Sequence, residues 1–248
     1  LGNALERGGG YFASRAEALS GLEVVLGTGE VLRTGPAHYP NALTTHVFKA
    51  GIGPQLDGLF IQSNLGIVTA AGIDMVPRRD HVVSAVATLR DPADLARMLD
   101  ALADLRKQGI VTSAIHVGNA HRSRISMSAG IYSELRRARP DATEEELLRT
   151  TEEYIRAEGI GHWSAGMTPE GPRAFVKLAC AELKRALKPV ARVQVLTDNL
   201  VAFGKWATRF LRFLPLMERK RILLDAIEPL YRLAEGVPTD HALKSVYW

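Results

Sequence analysis

The sequence predicts an α+β protein, and three observations predict it. The first eighty residues alternate short β-prone runs with glycine-rich turns. From His81 onward, strands alternate with longer amphipathic helices. Between the two textures stands Pro77-Arg78-Arg79-Asp80, a break that sets an expected boundary, with residues 1–80 as one domain and 81–248 as a second. A chain of 248 residues is long enough for both to carry cores of their own.

Leu22-Glu23-Val24-Val25-Leu26 and Glu30-Val31-Leu32-Arg33-Thr34 flank Gly27-Thr28-Gly29 and read as a hairpin. After a loop containing proline and histidine, residues 58–62, 64–69 and 72–77 read as three short strands broken by glycine. Residues 81–89 form a valine-rich strand. Asp91-Pro92 opens a helix, aspartate as N-cap and proline at the first helical position. Leu95, Met98, Leu99, Leu102 and Leu105 give that helix one apolar face, and Gly109 ends it.

Thr143-Glu144-Glu145-Glu146 is a capping-box pattern opening a helix that runs to Gly159. A strand over 162–167, a helix over 169–187 stopped by Pro189, and a strand over 192–196 follow. Residues 200–214 are helical with Trp206, Phe210 and Phe213 on one side, read as buried aromatics. Residues 216–236 form a last helix interrupted near Pro229. Cys180, in an apolar helical run, reads as a small buried filler.

Composition closes several avenues. No apolar run reaches the roughly 18–20 residues that span a bilayer, so no membrane partner is expected; the chain reads as soluble, cytoplasmic or periplasmic. The single cysteine allows neither an internal disulfide nor a cysteine metal cage. His116 and His121 are five apart and do not share a helix face, so no metal site is expected. The formal charge is +4, with clusters at Arg136, Arg137 and Arg139 and at Arg219, Lys220 and Arg221. These read as solvated helix faces, the lesser alternative being a nucleic-acid groove. Gly51-Ile52-Gly53 is followed by proline and lacks a dinucleotide fingerprint, no phosphate loop occurs, and Ser63 sits in no nucleophile elbow. The start at Leu1 and the apolar close at Val246-Tyr247-Trp248 lead us to expect a chain truncated at both ends.

Three stretches are too rich in glycine and polar residues for plain packing: residues 2–8, 51–58 and 62–69. Bare backbone lets a ligand approach peptide N–H groups closely, which suits pyrophosphate and ring carbonyls. On the residues alone, structural turns and a cofactor cradle stand on an equal footing.

In these stretches the sequence resembles the vanillyl-alcohol oxidase and 4-cresol dehydrogenase branch of the FAD-linked oxidases. Gly2-Asn3-Ala4-Leu5-Glu6-Arg7-Gly8 is similar to its Gly-Asn-x-x-(Asp/Glu)-Arg-Gly element. Gly21 to Leu26 with Gly29 to Gly35 resembles its next hairpin. Gly53 to Phe60, Gln62-Ser63-Asn64 and Gly66-Ile67-Val68-Thr69 resemble the end of its FAD domain. Gly236-Val237-Pro238-Thr239 and Trp248 are similar to a later stretch of its cap domain.

The resemblance implies the second half of an FAD-binding domain followed by an incomplete cap, or substrate, domain with an antiparallel sheet flanked by helices. It implies FAD as cofactor, bound by Gly2, Asn3, Asn64, Gly66, Ile67 and Val68. Glu6 takes the position of an acidic residue near the reactive edge of the flavin, to steer hydride transfer or act as a base; the alternative for Glu6 is a salt bridge to Arg7 or Arg15. The implied activity is oxidation of a 4-alkylphenol or related aromatic alcohol, with oxygen or a cytochrome as acceptor. An FAD-linked 2-hydroxy-acid or sugar dehydrogenase is the neighbouring alternative, and a non-catalytic nucleic-acid-binding module the alternative of another class. Phe12-Ala13-Ser14-Arg15-Ala16 departs from the family's polar, aromatic run after Gly10-Tyr11 and puts the usual phenolic substrate in question. The fragment alone is expected to be inactive. A homo-oligomer is compatible with the sequence but not derivable from it.

Overall fold

A computed structural model describes residue 5 and residues 14–49, 51–159, 161–211, 215–234, 236, 237 and 239. The chain divides into two compact units, Leu1–Pro77 and Arg78–Trp248.

The first unit is built on a three-stranded antiparallel sheet of β1 (Leu19–Leu26), β2 (Val31–Arg33) and β3 (Gly66–Ile73), in the order β2-β1-β3. Gly29, at φ +86°, supplies the left-handed residue that the β1–β2 turn requires. Leu19, Leu22, Val24 and Phe60 form the buried core. Two expectations change here. Residues 58–62 are no strand; Asp57–Phe60 is a 3-10 turn. Asp57 and Phe60 are both buried, and a 3-10 turn brings residues three apart onto one side, whereas a strand would place them on opposite faces. Residues 64–77 hold one strand, β3, not two, because Gly72 does not break it. A Cβ on Gly72 would lie 2.2 Å from the Ser20 carbonyl oxygen and 2.4 Å from His46 Nδ1, so glycine marks a close backbone approach inside the strand.

The second unit carries a four-stranded antiparallel sheet of β5 (Ser84–Leu89), β6 (His116–Asn119), β7 (Trp163–Met167) and β9 (Ala191–Leu196), in the order β6-β7-β5-β9. Helices α1 (Leu95–Lys107) and α4 (Arg173–Leu187) connect β5 to β6 and β7 to β9. This is a split βαβ pair. A short ribbon of β4 (His81–Val82) and β8 (Glu170–Gly171) lies beside it. Burial alternates along β5, and Ala85, Ala87 and Leu89 pack with Met98, Leu102 and Leu183. Asp91 caps as expected, its Oδ1 accepting from Ala93 N at 2.9 Å.

Between β6 and β7 are inserted α2 (Ala120–Ala138) and α3 (Glu144–Ala157); α5 (Asp198–Phe210) and α6 (Pro215–Ala234) follow β9. Ile131, Leu135, Leu147, Ile155, Ile222 and Leu223 join α2, α3 and α6 in a second core. The capping box at α3 is present, Thr143 Oγ1 accepting from Glu146 N and Glu146 Oε2 from Thr143 N. Helix α6 runs through Pro229 without interruption, since Ala226 and Tyr231 are buried on either side and packing outweighs one lost backbone bond. The aromatic face of α5 is not buried: Phe203, Trp206 and Phe210 are exposed, and the helix packs instead through Val201, Thr208 and Gly204, the last against Leu224 of α6. Phe213 lies outside the described residues. Cys180 is half-buried rather than enclosed, and desolvation raises its thiol pKa.

Candidate functional site

In the first unit the chain reaches β3 through a tight turn. Gln62 adopts φ +50°, its N–H donates to Leu5 O at 3.1 Å, and Leu65 N donates to Ser63 Oγ at 3.2 Å. The bond to Leu5 ties the first glycine-rich stretch to the third. Gly2, Asn3 and Glu6 lie outside the described residues. Asn64 is exposed at the turn, and Gly66, Ile67 and Val68 begin β3. The missing side chain of Gly66 serves packing, since a Cβ there would lie 2.5 Å from Val24 Cγ1. What β3 leaves available is its outer edge. It is the end strand, no described strand runs along its far side, and Ile67 is 72% exposed.

Beside β1 the first unit holds a cleft of about 600 Å³, lined among others by Glu23, Arg33, His38, Tyr39, Asn41 and His46. Glu23 accepts from Thr69 Oγ1 at 2.9 Å and from Arg33 Nη2 at 2.7 Å, and these bonds, Thr69 first, hold its carboxyl below the ordinary value. Sequence reasoning missed this cleft; its only signal was the histidine-bearing loop.

In the second unit the sheet face opposite α1 and α4 is largely polar. The register sets His116, Gly166, Val86 and Gln194 in one cross-strand row, and Gly118, Ser164, Thr88 and Arg192 in the next. His116, Gln194 and Arg192 are exposed, and the space over Gly166 is open for 4 Å. At one end the start of α2 closes over the face, with Ser123 Oγ 3.2 Å from Ser164 Oγ. Such a floor can stack a planar ring and offer polar groups at its rim. The alternation of Arg192 and Gln194 in β9 was its sequence signal.

The basic clusters do not form an open cationic groove. Arg137 pairs with Glu134, Arg139 with Glu218, Lys220 with Glu158 and Arg221 with Asp225. Among the described residues no three His, Cys, Asp or Glu side chains converge on a metal position. No described helix is long and apolar enough to cross a membrane.

The donor set on β3 suits a flavin nucleotide in kind. Pyrophosphate and ring carbonyls are bound by main-chain N–H groups, and an end strand presents these along with the Asn64 amide.

No family model matches the chain. It is 32% identical over 255 residues to 1'-carboxy-chondrochloren decarboxylase of Chondromyces crocatus, a match covering 100% of this chain and 45% of that protein. It is 31% identical over 208 residues to the 4-cresol dehydrogenase (hydroxylating) flavoprotein subunit of Pseudomonas putida, covering 80% of this chain and 38% of the relative. Among solved structures, 4-ethylphenol oxidase from Gulosibacter chungangensis in its isoeugenol complex aligns with a TM-score of 0.69 at 26% identity, covering 99% of this chain and 44% of that one. The chain thus spans less than half the length of each protein it matches. The proteins that this chain matches over most or all of its own length, 4-cresol dehydrogenase in sequence and 4-ethylphenol oxidase in fold, are members of the vanillyl-alcohol oxidase and 4-cresol dehydrogenase family.

Proposed function

We propose that the chain is part of an FAD-dependent oxidoreductase that oxidises a 4-alkylphenol or a related aromatic alcohol. The observation that carries this reading is that two of the three proteins above, each matched over 80% or more of this chain, are named for oxidising 4-cresol or 4-ethylphenol. In this reading the first unit contributes the latter part of the FAD-binding domain and the second unit an incomplete cap. Bound FAD supplies the hydride acceptor. Asn64 and the main chain of Gly66, Ile67 and Val68 would hold the nucleotide along β3, with Gly2 and Asn3 completing that side. Glu6 would carry or orient the proton that leaves the substrate. In the second unit, the open floor around Gly166, with His116 and Gln194 at its rim, would offer an aromatic ring a surface to stack on. Electrons would pass on to oxygen or a cytochrome.

The whole parent polypeptide should be yellow and should bleach anaerobically on adding a 4-alkylphenol. Whole protein without flavin absorbance overturns the reading. Glu6→Gln should slow flavin reduction by about 100-fold with flavin content unchanged. The match to a decarboxylase over the whole of this chain favours one second reading, oxidation coupled to loss of a carboxyl group. Release of carbon dioxide from a carboxylated aryl substrate, with 4-alkylphenols inert, would select it.

A further inference from the structure

The polar face of the second unit's sheet is one-sided in charge. None of β5, β6, β7 and β9 contains an aspartate or a glutamate. Its permanently charged side chains are Arg192 and Arg122. Arg192 ends the row Gly118–Ser164–Thr88–Arg192 on β9, and Arg122 reaches the β6 end of that row from the first turn of α2. Both are exposed, and neither pairs with a carboxylate among the described residues. The helical clusters differ, since Arg137, Arg139 and Arg221 each hold an acid.

Gly118 shapes the position of Arg122. A Cβ on Gly118 would lie 2.9 Å from Arg122 Cδ, 3.5 Å from its Cγ and 3.6 Å from its Cβ. The arginine stem therefore runs across bare backbone and closes on the sheet as it extends. Its main chain is fixed as well, Arg122 N donating to Asn119 Oδ1 at 2.9 Å. A stem ordered in this way loses little further freedom when its guanidinium takes a ligand. His116 stands on the same strand, and one strand spacing away, about 5 Å, the space over Gly166 is open.

We propose, building on the reading of the second unit as the substrate cap, that this floor takes an aromatic ring bearing a carboxylate, the ring over Gly166 and the carboxylate on Arg122. A guanidinium fork binds a carboxylate through two parallel N–H···O bonds, whereas an uncharged ring would cover the arginine without supplying a counter-ion. Spacing gives the direction. Arg122 lies over the strand next to Gly166, while Arg192 stands two strands away, about 10 Å, beyond a short substituent. Plain 4-alkylphenols are then weaker ligands than their carboxylated counterparts, under either reaction proposed above.

Titration calorimetry of the whole parent polypeptide reads the preference, using 4-hydroxybenzoate and 4-hydroxybenzamide, neither of which has a benzylic C–H to oxidise. Wild type should bind the acid about tenfold more tightly than the amide, or better. Arg122→Gln should erase that preference by weakening the acid alone. Arg122→Lys, which keeps the charge but not the fork, should retain part of it. Gly118→Ala lifts the flexible stem off the sheet with the charge intact and should also lose part, whereas Arg192→Gln should lose none. A wild type that binds neither ligand, or both equally, overturns the proposal and assigns Arg122 to an acidic group elsewhere in the parent polypeptide. A preference that survives Arg122→Gln overturns it too. Heats are read separately from flavin colour. A colourless parent that prefers the acid sinks the FAD reading alone, and a yellow parent without the preference sinks only the carboxylate assignment.

Discussion

The two sheets of this chain solve the same problem with different means. In the second unit, β5, β7 and β9 lie under α1 and α4, and thirteen buried residues form one cluster on the covered face. In the first unit the buried cluster comprises Leu19, Leu22, Val24 and Phe60, and the sheet ends in β3, along whose far side no described strand runs. Polar groups make up part of the difference. Thr34 Oγ1 accepts from Leu22 N at 2.7 Å and donates to the buried Asp57 carboxylate, which also accepts from Gln55 Nε2 at 3.2 Å. The second sheet is held by area removed from water; the first leans on directional bonds, and among the described residues β3 is its end strand.

Removing one core side chain from each unit should separate these modes most clearly. Leu183 is fully buried under the four-stranded sheet, and Leu183→Ala should cost about 3 kcal/mol. Hydrogen exchange should show the loss over β5, β7 and β9 and leave β1 unchanged. In the first unit the corresponding weak point is polar. Asp57→Ala leaves Thr34 and Gln55 without their acceptor and should cost about 2 kcal/mol, confined to β1 and β2. If Asp57→Ala instead proved neutral, the network would be ornament and the contrast would fail.

A third substitution tests whether the glycines of β3 are structural. In Gly72→Ala the new Cβ meets the Ser20 carbonyl oxygen, a backbone atom that cannot swing aside, and β1 must shift. A cost of about 1–2 kcal/mol in the first unit is expected. In the parent protein, flavin content should fall with it, because the same strand carries the outer edge.

How legible these features were depends on how local their causes are. The caps at Asp91 and Thr143 are contacts across two or three residues, and both could be read directly. Helix α2 was missed because Ser123, Ser126 and Ser128 weaken its pattern; Ile131 and Leu135 hold it through α3 and α6, far along the chain. Glycine was equally double-edged. Gly66, in a stretch read as a turn or a ligand cradle, lies close against Val24, and Gly72, read as a break between strands, lies close against Ser20 and His46. The polar row His116–Gly166–Val86–Gln194 brings together four strands through pairings 50 to 108 residues apart, which alternation within one strand cannot disclose. Trp206 and Phe210 were misread for the same reason, since their spacing announces an apolar face without saying what covers it.

The smallest expected effect probes a largely buried carboxylate that is poorly compensated among the described residues of the second unit. Glu170 on β8 has a side chain 11% exposed, its Oε1 has no hydrogen-bond partner, and Arg79 Nε stands 3.8 Å away. Burial raises its carboxyl above the ordinary value of 4.5, so the folded state favours the protonated form. A folded pKa above the unfolded one means that this contribution is complete below the unfolded pKa and is lost as pH rises through the folded value. Glu170→Gln keeps the shape and removes the titration. The variant should therefore match wild type near pH 4 and gain on it toward pH 7, by less than about 1 kcal/mol because the Arg79 charge and partial access to water offset the penalty. Melting temperatures of the two proteins across that range give the difference directly, with every other carboxylate cancelling. A gap that narrows with rising pH would mean that Arg79 holds Glu170 as a true ion pair, and the second unit would then rest on a polar bond much as the first does.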